Sequence, residues 1–342
     1  MNADRLTNHQ LDRRVDRKHP FRLLCELEVT CRKDWLVRDL LGAGEASAWY
    51  GKPGDGKSVL VQDMGLHIAA GLDWHGRQVR KGSVLYLALE RCRLVERRAI
   101  AFRLRSGLED LPFAIMGGVY DLKNPRNVEL VAGAADELAL ASEVPLALLI
   151  VDTLSRALAG GDENGPKDMG SIVNATGLLQ ERTRAHVLLV HHTPIDGADR
   201  LRGHGALLGA MDTTVNVVKS GAIRTATVVK ANDSEEGAQV AFTLEPFVVG
   251  TDADGNETTA PVVVPARSEF VATSAPKLTK NQQTMFRILH AAGSSGLTTG
   301  QWNEKAREAG LGTSRKADLY DFREALRAKG IVREFGERWT AV

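Results

Sequence analysis

The stretch 46-ASAWYGKPGDGKS-58 decides the reading of this chain. Ala46 to Tyr50 is apolar and partly aromatic, as a buried strand should be. It runs into Gly51-Lys-Pro-Gly-Asp-Gly56-Lys57-Ser58, which has the G-x-x-x-x-G-K-[ST] spacing of a phosphate-binding loop. Val59, Leu60, Met64, Leu66 and Ile68 then recur at helical spacing, and Gly71 marks the stop. Strand, glycine-rich loop and helix are the context this motif needs. Gly51, Gly54 and Gly56, with Pro53 and Asp55 between them, let successive backbone N–H groups face a phosphate chain. The helix starting near Lys57 adds free N–H groups, Val59 among its first residues, and a positive dipole end. Lys57 offers a mobile charge for the β- and γ-phosphates and Ser58 a hydroxyl for Mg²⁺. The residues specify a nucleoside triphosphate ligand with Mg²⁺.

The chain has 342 residues, 43% hydrophobic and 25% charged, which suits a globular core of roughly 200–250 residues plus a smaller domain. Its longest apolar runs, PLALLIV from Pro145 and HVLLV from His186, are strand-sized, so no membrane span is expected. The first twenty residues are polar and argue against a secretory signal. Cys25, Cys31 and Cys92 match no zinc or disulfide framework, consistent with reduced thiols in a cytoplasmic protein. The net charge of +1 is unevenly divided: Pro276 to Val342 carries 12 Lys and Arg against 7 Asp and Glu, a net of +5. A basic terminal module on a mildly acidic remainder points to a polyanion partner for that module.

Residues 1–33 read as an N-terminal arm, interrupted by Pro20, that either packs on a neighbouring subunit or is solvated. From 34 to 250 strands alternate with helices. Strands are expected at Ser83–Leu89, Pro112–Met116, Leu146–Val151 and His186–His192. Helices are expected at Leu94–Arg105, Asn127–Ala141 and Ser171–Arg182. A polar loop, 159-AGGDENGPKDMG-170, precedes the last of these helices. The repeated βα pattern predicts an α/β class with a mainly parallel sheet. Strands near Thr214–Val218, Thr225–Lys230 and Val240–Val249, joined by short turns, predict an antiparallel edge extension. Residues 251–275 read as a linker or hairpin. In 276–342, helices at Gln282–Ala292, Thr299–Ala309 and Ser314–Lys329, then a turn at Gly336, give the outline of a winged helix-turn-helix. Arg315, Lys316, Arg323 and Arg327 fall on its third helix, with Arg333 and Arg338 on the wing, ready for duplex DNA or a protein partner.

Seven further positions carry chemistry. Asp152 closes the strand LLIVD, where a carboxylate can hold the hydration shell of Mg²⁺ opposite Ser58. Glu90 ends the strand 83–89, at the edge where open α/β sheets bind ligands, and can orient an attacking water. His191 and His192 end the next long strand. Either can sense the γ-phosphate, and with no third ligand nearby they are a poor metal pair. Arg200, Arg202 and Lys230 have no evident partner in their own site. Each is a candidate to reach a neighbouring subunit's nucleotide, a contribution of roughly 10³–10⁵ in rate where it operates.

These pieces occur in an order that resembles the RecA-like ATPases of the plasmid RepA type, the hexameric replicative helicase group, described among AAA family ATPases. The resemblance covers about residues 34–250 and rests on GKPGDGKS (51–58), YLALE (86–90), LLIVDTLSRALAGGDEN (148–164), VLLVHHT (187–193), RGHGALLGAMDT (202–213) and VVKAND (228–233). It implies a RecA-like P-loop core and ATP hydrolysis with Glu90 as catalytic carboxylate. It also implies Asp152 on the metal, His191 or His192 as sensor, Arg202 as arginine finger across a subunit boundary, and Lys230 near the same boundary. A homo-oligomer, a hexameric ring, follows from it, with loops 155–170 and 194–205 touching single-stranded DNA in the channel. Where many relatives have RG-Ser-Ser, this chain has Arg202-Gly203-His204-Gly205, and the winged helix is an addition to the minimal core. The function so implied is a DNA helicase of a plasmid, phage or other mobile element. A recombination mediator or helicase loader with DNA-dependent ATPase activity, and a nucleotide-gated DNA-binding regulator, are the alternatives.

Overall fold

Trp35–Val37 (β1) and Leu41–Gly42 (β2) pair antiparallel at the start of a computed structural model that describes residues 24, 33–193, 205–266, 278–293, 296–312, 318–329, 331–335 and 338–341. The chain divides into two compact units, Met1–Ala266 and Arg267–Val342.

The first unit is built on the elements Ala46–Gly51 (β3), Lys57–Ala70 (α1), Ser83–Ala88 (β4), Cys92–Ser106 (α2), Phe113–Gly117 (β5), Pro125–Ser142 (α3), Leu146–Asp152 (β6), Leu154–Ala157 (α4), Pro166–Thr183 (α5) and His186–His192 (β7). Gly205–Ala210 (α6) is followed by Thr213–Ser220 (β8), Ile223–Ala231 (β9), Gln239–Thr251 (β10) and Glu257–Pro265 (β11). Nine strands form one sheet in the order β11-β10-β9-β8-β3-β7-β6-β4-β5. The pairs from β8 through β5 are parallel, and those from β8 to β11 antiparallel.

The mixed α/β architecture follows from the sequence pattern. β3, β4 and β6 are buried at every position, because helices cover both faces of a parallel sheet and leave no polar side to alternate with. Residues alternate between two cores. Trp49, Val84, Tyr86, Leu148 and Ile150 join Leu60 and Met64 of α1. Ala48, Leu85, Leu87, Leu149 and Val151 join Val131 of α3 and Ile172 of α5 on the other face. The parallel register aligns the carboxyl ends of the strands: Ala88 stands beside Asp152, Asp152 beside Val190, and His192 beside Gly51.

Two expectations shift. Helix α5 starts at Pro166, with the proline in its first turn, and α4 takes up Leu154–Ala157, so the loop after β6 is shorter than 155–170. Within 251–275, β11 pairs along β10 from Glu257 to Pro265, so this part of the chain completes a hairpin in the main sheet. Pro261 and Pro265 are tolerated there because β11 is the edge strand.

The second unit holds Lys280–His290 (α7), Leu297–Thr298 (β12), Thr299–Glu308 (α8), Asp318–Ala328 (α9), Val332–Phe335 (β13) and Arg338–Ala341 (β14). Thr279 with Gln282, and Thr298 with Gln301, form capping boxes that start α7 and α8. Its small antiparallel sheet has the order β12-β14-β13, one strand more than expected, and its core centres on Trp302, Trp339, Met285 and Leu326.

Candidate functional site

The phosphate loop leaves β3 and enters α1 with a distinct demand at each glycine. Gly54 (φ 87°) and Gly56 (φ 93°) sit in the left-handed region, where a side chain is strained. Gly51 is needed for proximity: a Cβ there would lie 2.2 Å from the Val217 carbonyl oxygen of β8. No side chain caps α1 and no acidic residue sits in its first turn, so its N–H groups remain available to an anion. Asp55 turns inward and accepts the Lys52 backbone N–H at 2.9 Å, bracing the loop.

Lys57 lies folded over the loop, its Nζ donating to the Gly51 and Lys52 carbonyls at 2.9 Å each. Burial lowers its pKa to about 8, against the pull of Asp55 and Asp152. Ser58 Oγ donates to Asp152 Oδ1 at 3.1 Å, and the buried Tyr86 hydroxyl donates to Asp152 Oδ2 at 2.5 Å. Burial raises the Asp152 pKa, and the bonds from Tyr86 and Ser58, together with Arg98 and Lys57, work against that rise. Burial and the adjoining carboxylate push the Tyr86 hydroxyl well up, so it stays a donor. A hydroxyl and a carboxylate oxygen in contact, beside free helix N–H groups, are the hard oxygen donors that suit Mg²⁺ shared with phosphate. Among the described residues no group of three or more His, Cys, Asp or Glu side chains could hold a metal ion unaided, so a cation held by Ser58 and Asp152 would take the rest of its shell from phosphate and water.

Lys57, Ser58 and Asp152 line one cavity of about 420 Å³, together with Glu90, Arg91, Leu94, Arg98 and His192, and Tyr86 lies behind Asp152. Glu90 is partly exposed there, its Oε1 3.9 Å from Arg156 Nη2. The strand alternation of β7 separates the two histidines: His191 is fully buried beside Tyr50, while His192 reaches the cavity wall.

Lys230 differs from its expected freedom. Its Nζ donates to the carbonyls of Leu208 (2.9 Å) and Met211 (2.6 Å), closing the C-terminal end of α6 in its own chain. Arg200, Arg202 and the rest of 194–204 lie outside the described residues, as do Arg315 and Lys316. Arg323 is no surface cation: it is 7% exposed and donates to Asn303 Oδ1 at 2.9 Å.

Sequence reasoning missed Tyr86, Arg98, Leu244 and Pro261. A lone hydroxyl inside the apolar run SVLYLAL needs a buried partner, a signal that pointed to Tyr86. Arg98 follows Arg91 and Val95 at helical spacing on the inward side of α2, which placed it in the site. Leu244 and Pro261 belong to strands whose nearness to the loop only the sheet order reveals.

A family model described as an AAA domain matches residues 24–198, the span from the phosphate loop through Glu90 and Asp152 to His192. Among solved structures, a KaiC-like protein from the hyperthermophilic archaeon Pyrococcus horikoshii OT3 is similar at 16% identity and a TM-score of 0.41, over 67% of this chain and 94% of that one. No curated protein matches the chain. No helix among the described residues is long and apolar enough to cross a membrane.

Proposed function

Because this chain belongs to the AAA domain family, an ATPase assignment is its premise, and we propose that it is a ring-forming DNA motor, a replicative helicase of a mobile element moving on single-stranded DNA. The observation that carries ATP hydrolysis is the convergence of Lys57, Ser58, Glu90 and Asp152 in one cavity at the ends of β3, β4 and β6. Lys57 and the α1 N–H groups hold the β- and γ-phosphates. Ser58 and Asp152 would hold Mg²⁺, which when bound would draw charge off the phosphate oxygens. Glu90 orients the attacking water for in-line displacement, and the low-exposure floor formed by Asp152 and Tyr86 keeps these charges effective. His192 is the residue of the pair positioned to report phosphate loss into the loop that follows.

The DNA part of the reading rests on the order of motifs resembling RepA-type helicases. In it, subunits form a hexamer, Arg202 acts in trans, and 155–170 and 194–205 contact single-stranded DNA. Lys230 then serves by closing α6 next to that second segment. The unit from Arg267, with three helices and a three-stranded sheet, we read as a winged helix for duplex DNA or a protein partner.

Steady-state ATP hydrolysis with and without single-stranded DNA, across protein concentrations and with Lys57→Ala as blank, tests the proposal. Stimulation by DNA with activity rising on assembly supports the motor. Turnover indifferent to both sinks it and leaves a nucleotide-gated regulator.

A further inference from the structure

Arg91 stands where the backbone favours glycine. It joins β4 to α2 at φ 53° and ψ 45°, in the left-handed region. Of the non-glycine residues at positive φ among those described, Arg91 is the one that lines the phosphate cavity. A glycine would take the same turn without strain, and strain kept at the wall of a ligand cavity points to use of the side chain.

No acid answers that side chain. Among the described residues Arg91 takes part in no salt bridge, and its neighbour Glu90 is drawn to Arg156 instead. Asp152, the other carboxylate on the cavity, is bonded to Ser58 and Tyr86. Burial lowers the Arg98 pKa, Tyr86 and Asp152 oppose that, and the Arg91 charge adds to it, so the two guanidinium groups repel each other. An unpaired cation beside a second one, on a cavity that also holds Lys57, calls for an anion. A solvated surface arginine would need neither the strained turn nor the cavity wall.

Position selects which anion. Arg91 follows Glu90 directly, so its guanidinium and the carboxylate that orients water start from the same end of β4. We propose that Arg91 is a further catalytic residue, a cation that engages the γ-phosphate bound in its own subunit. The inference rests on the ATPase reading of this cavity. In hydrolysis the oxygen of water bonds to the γ-phosphorus, its proton passing toward Glu90. The bond from phosphorus to the β–γ bridging oxygen breaks, and its electron pair leaves with ADP. Charge is then spread over the leaving oxygen and the three equatorial oxygens, which the forked N–H donors of an arginine can hold. A cation supplied in cis acts in a lone subunit, as Arg202 in trans would not.

The test uses the full chain. Calorimetric titrations with Mg²⁺ and either ADP or the slowly hydrolysed analogue ATPγS are run at protein concentrations below and above any self-assembly seen by sedimentation. Arg91→Ala should bind ADP within about twofold of the parent and ATPγS at least about tenfold more weakly, at both concentrations. Its turnover at saturating ATP should fall about a hundredfold. Arg91→Lys, a point charge without the fork, should fall between the two. Arg91→Gly removes side chain and strain together, so it should match Arg91→Ala and exclude misfolding as the cause; retained ADP binding shows each variant folded. ATPγS affinity and turnover that Arg91→Ala leaves unchanged would overturn the proposal and make Arg91 a solvated charge. Equal loss of ADP and ATPγS would overturn it in favour of the β-phosphate or the nucleoside, and loss only above assembly in favour of a contact in trans. A parent that binds neither nucleotide would sink the phosphate-loop reading and this inference with it.

Discussion

Glu90 Oε1 stands 3.9 Å from Arg156 Nη2, so the carboxylate at the end of β4 shares an ion pair with the helix that follows the Asp152 strand. Arg156 opens the segment proposed to touch DNA. A DNA strand on that segment would compete for Arg156 and leave Glu90 free to turn to the phosphate. The pair is substantially exposed, so its worth is at most about 1 kcal/mol. Arg156→Gln is accordingly expected to raise DNA-free ATP turnover up to about fivefold and to reduce stimulation by single-stranded DNA by the same factor, with ADP affinity unchanged. Unaltered turnover and unaltered stimulation would show that the pair does not restrain Glu90.

Lys57 gives a pH dependence with a definite sign. Its pKa of about 8 in the free protein rises again when phosphate is beside it, so nucleotide binding takes up a proton above pH 8. About half a proton per site is expected at pH 8, and affinity for ADP should be about tenfold weaker at pH 9 than at pH 7. Calorimetry in buffers of different ionisation heats measures both. The same depression means that the unfolded chain binds the proton more tightly between about pH 8 and 10.5. This group's contribution to stability therefore rises with pH through that window. Lys57→Met should remove nucleotide binding and raise the Tm of the nucleotide-free protein at pH 7; a lowered Tm would contradict the desolvation argument.

How much of this was legible in the sequence depends on what fixed each residue. β3, β4, β6 and β7 read correctly because strands covered on both faces must be continuously apolar, and the phosphate loop read correctly because its spacing is dictated by a ligand. β11 was read only as linker or hairpin because its prolines and the preceding turn, with Asp252 accepting the Asp254 and Asn256 N–H groups, look like linker chemistry. Only the sheet order shows it to be an edge. His191 and His192 could not be separated, since alternation says that they face opposite ways but not which way; pairing with β3 decides it. Lys230 was read as a charge free to reach a neighbouring nucleotide, and Arg323 as a third-helix charge facing DNA or a protein partner. Long cationic side chains also close helix ends and lie over aromatic rings, and neither use leaves a mark in local sequence.

The glycines of the phosphate loop are expected to fail in different ways. Gly51→Ala puts Cβ 2.2 Å from a backbone oxygen of β8, which cannot yield without parting two strands. A loss of about 2–4 kcal/mol in folding stability is expected. Gly54→Ala meets nothing within 4 Å and carries only the strain of φ 87°, about 1 kcal/mol or slightly more. Urea unfolding of both variants, beside ADP titrations, distinguishes them: Gly54→Ala should lose affinity at near-parent stability. Equal destabilisation by the two would mean that conformational freedom, and not the approach to Val217, sets the requirement at Gly51.

Arg323 and Arg333 separate structural from recognition charge in the C-terminal unit. The Arg323 guanidinium lies 5.6 Å from the Trp339 ring and 5.7 Å from that of Tyr320, with Asn303 as hydrogen-bond partner. Truncating it opens the packing around Trp339, so Arg323→Ala should cost about 1–3 kcal/mol of stability. Arg333 is exposed on β13, and Arg333→Ala should leave stability within about 0.5 kcal/mol. If the unit binds duplex DNA, Arg333 contributes one phosphate contact. Its loss should then weaken binding uniformly across sequences and reduce the slope of log K against log salt by about one. Thermal unfolding and fluorescence anisotropy at several salt concentrations read the two effects. Loss of DNA affinity in Arg323→Ala at parent stability would contradict the buried, ring-packed placement of that side chain. A salt slope that Arg333→Ala leaves unchanged would instead move the basic face of this unit from nucleic acid to a protein partner.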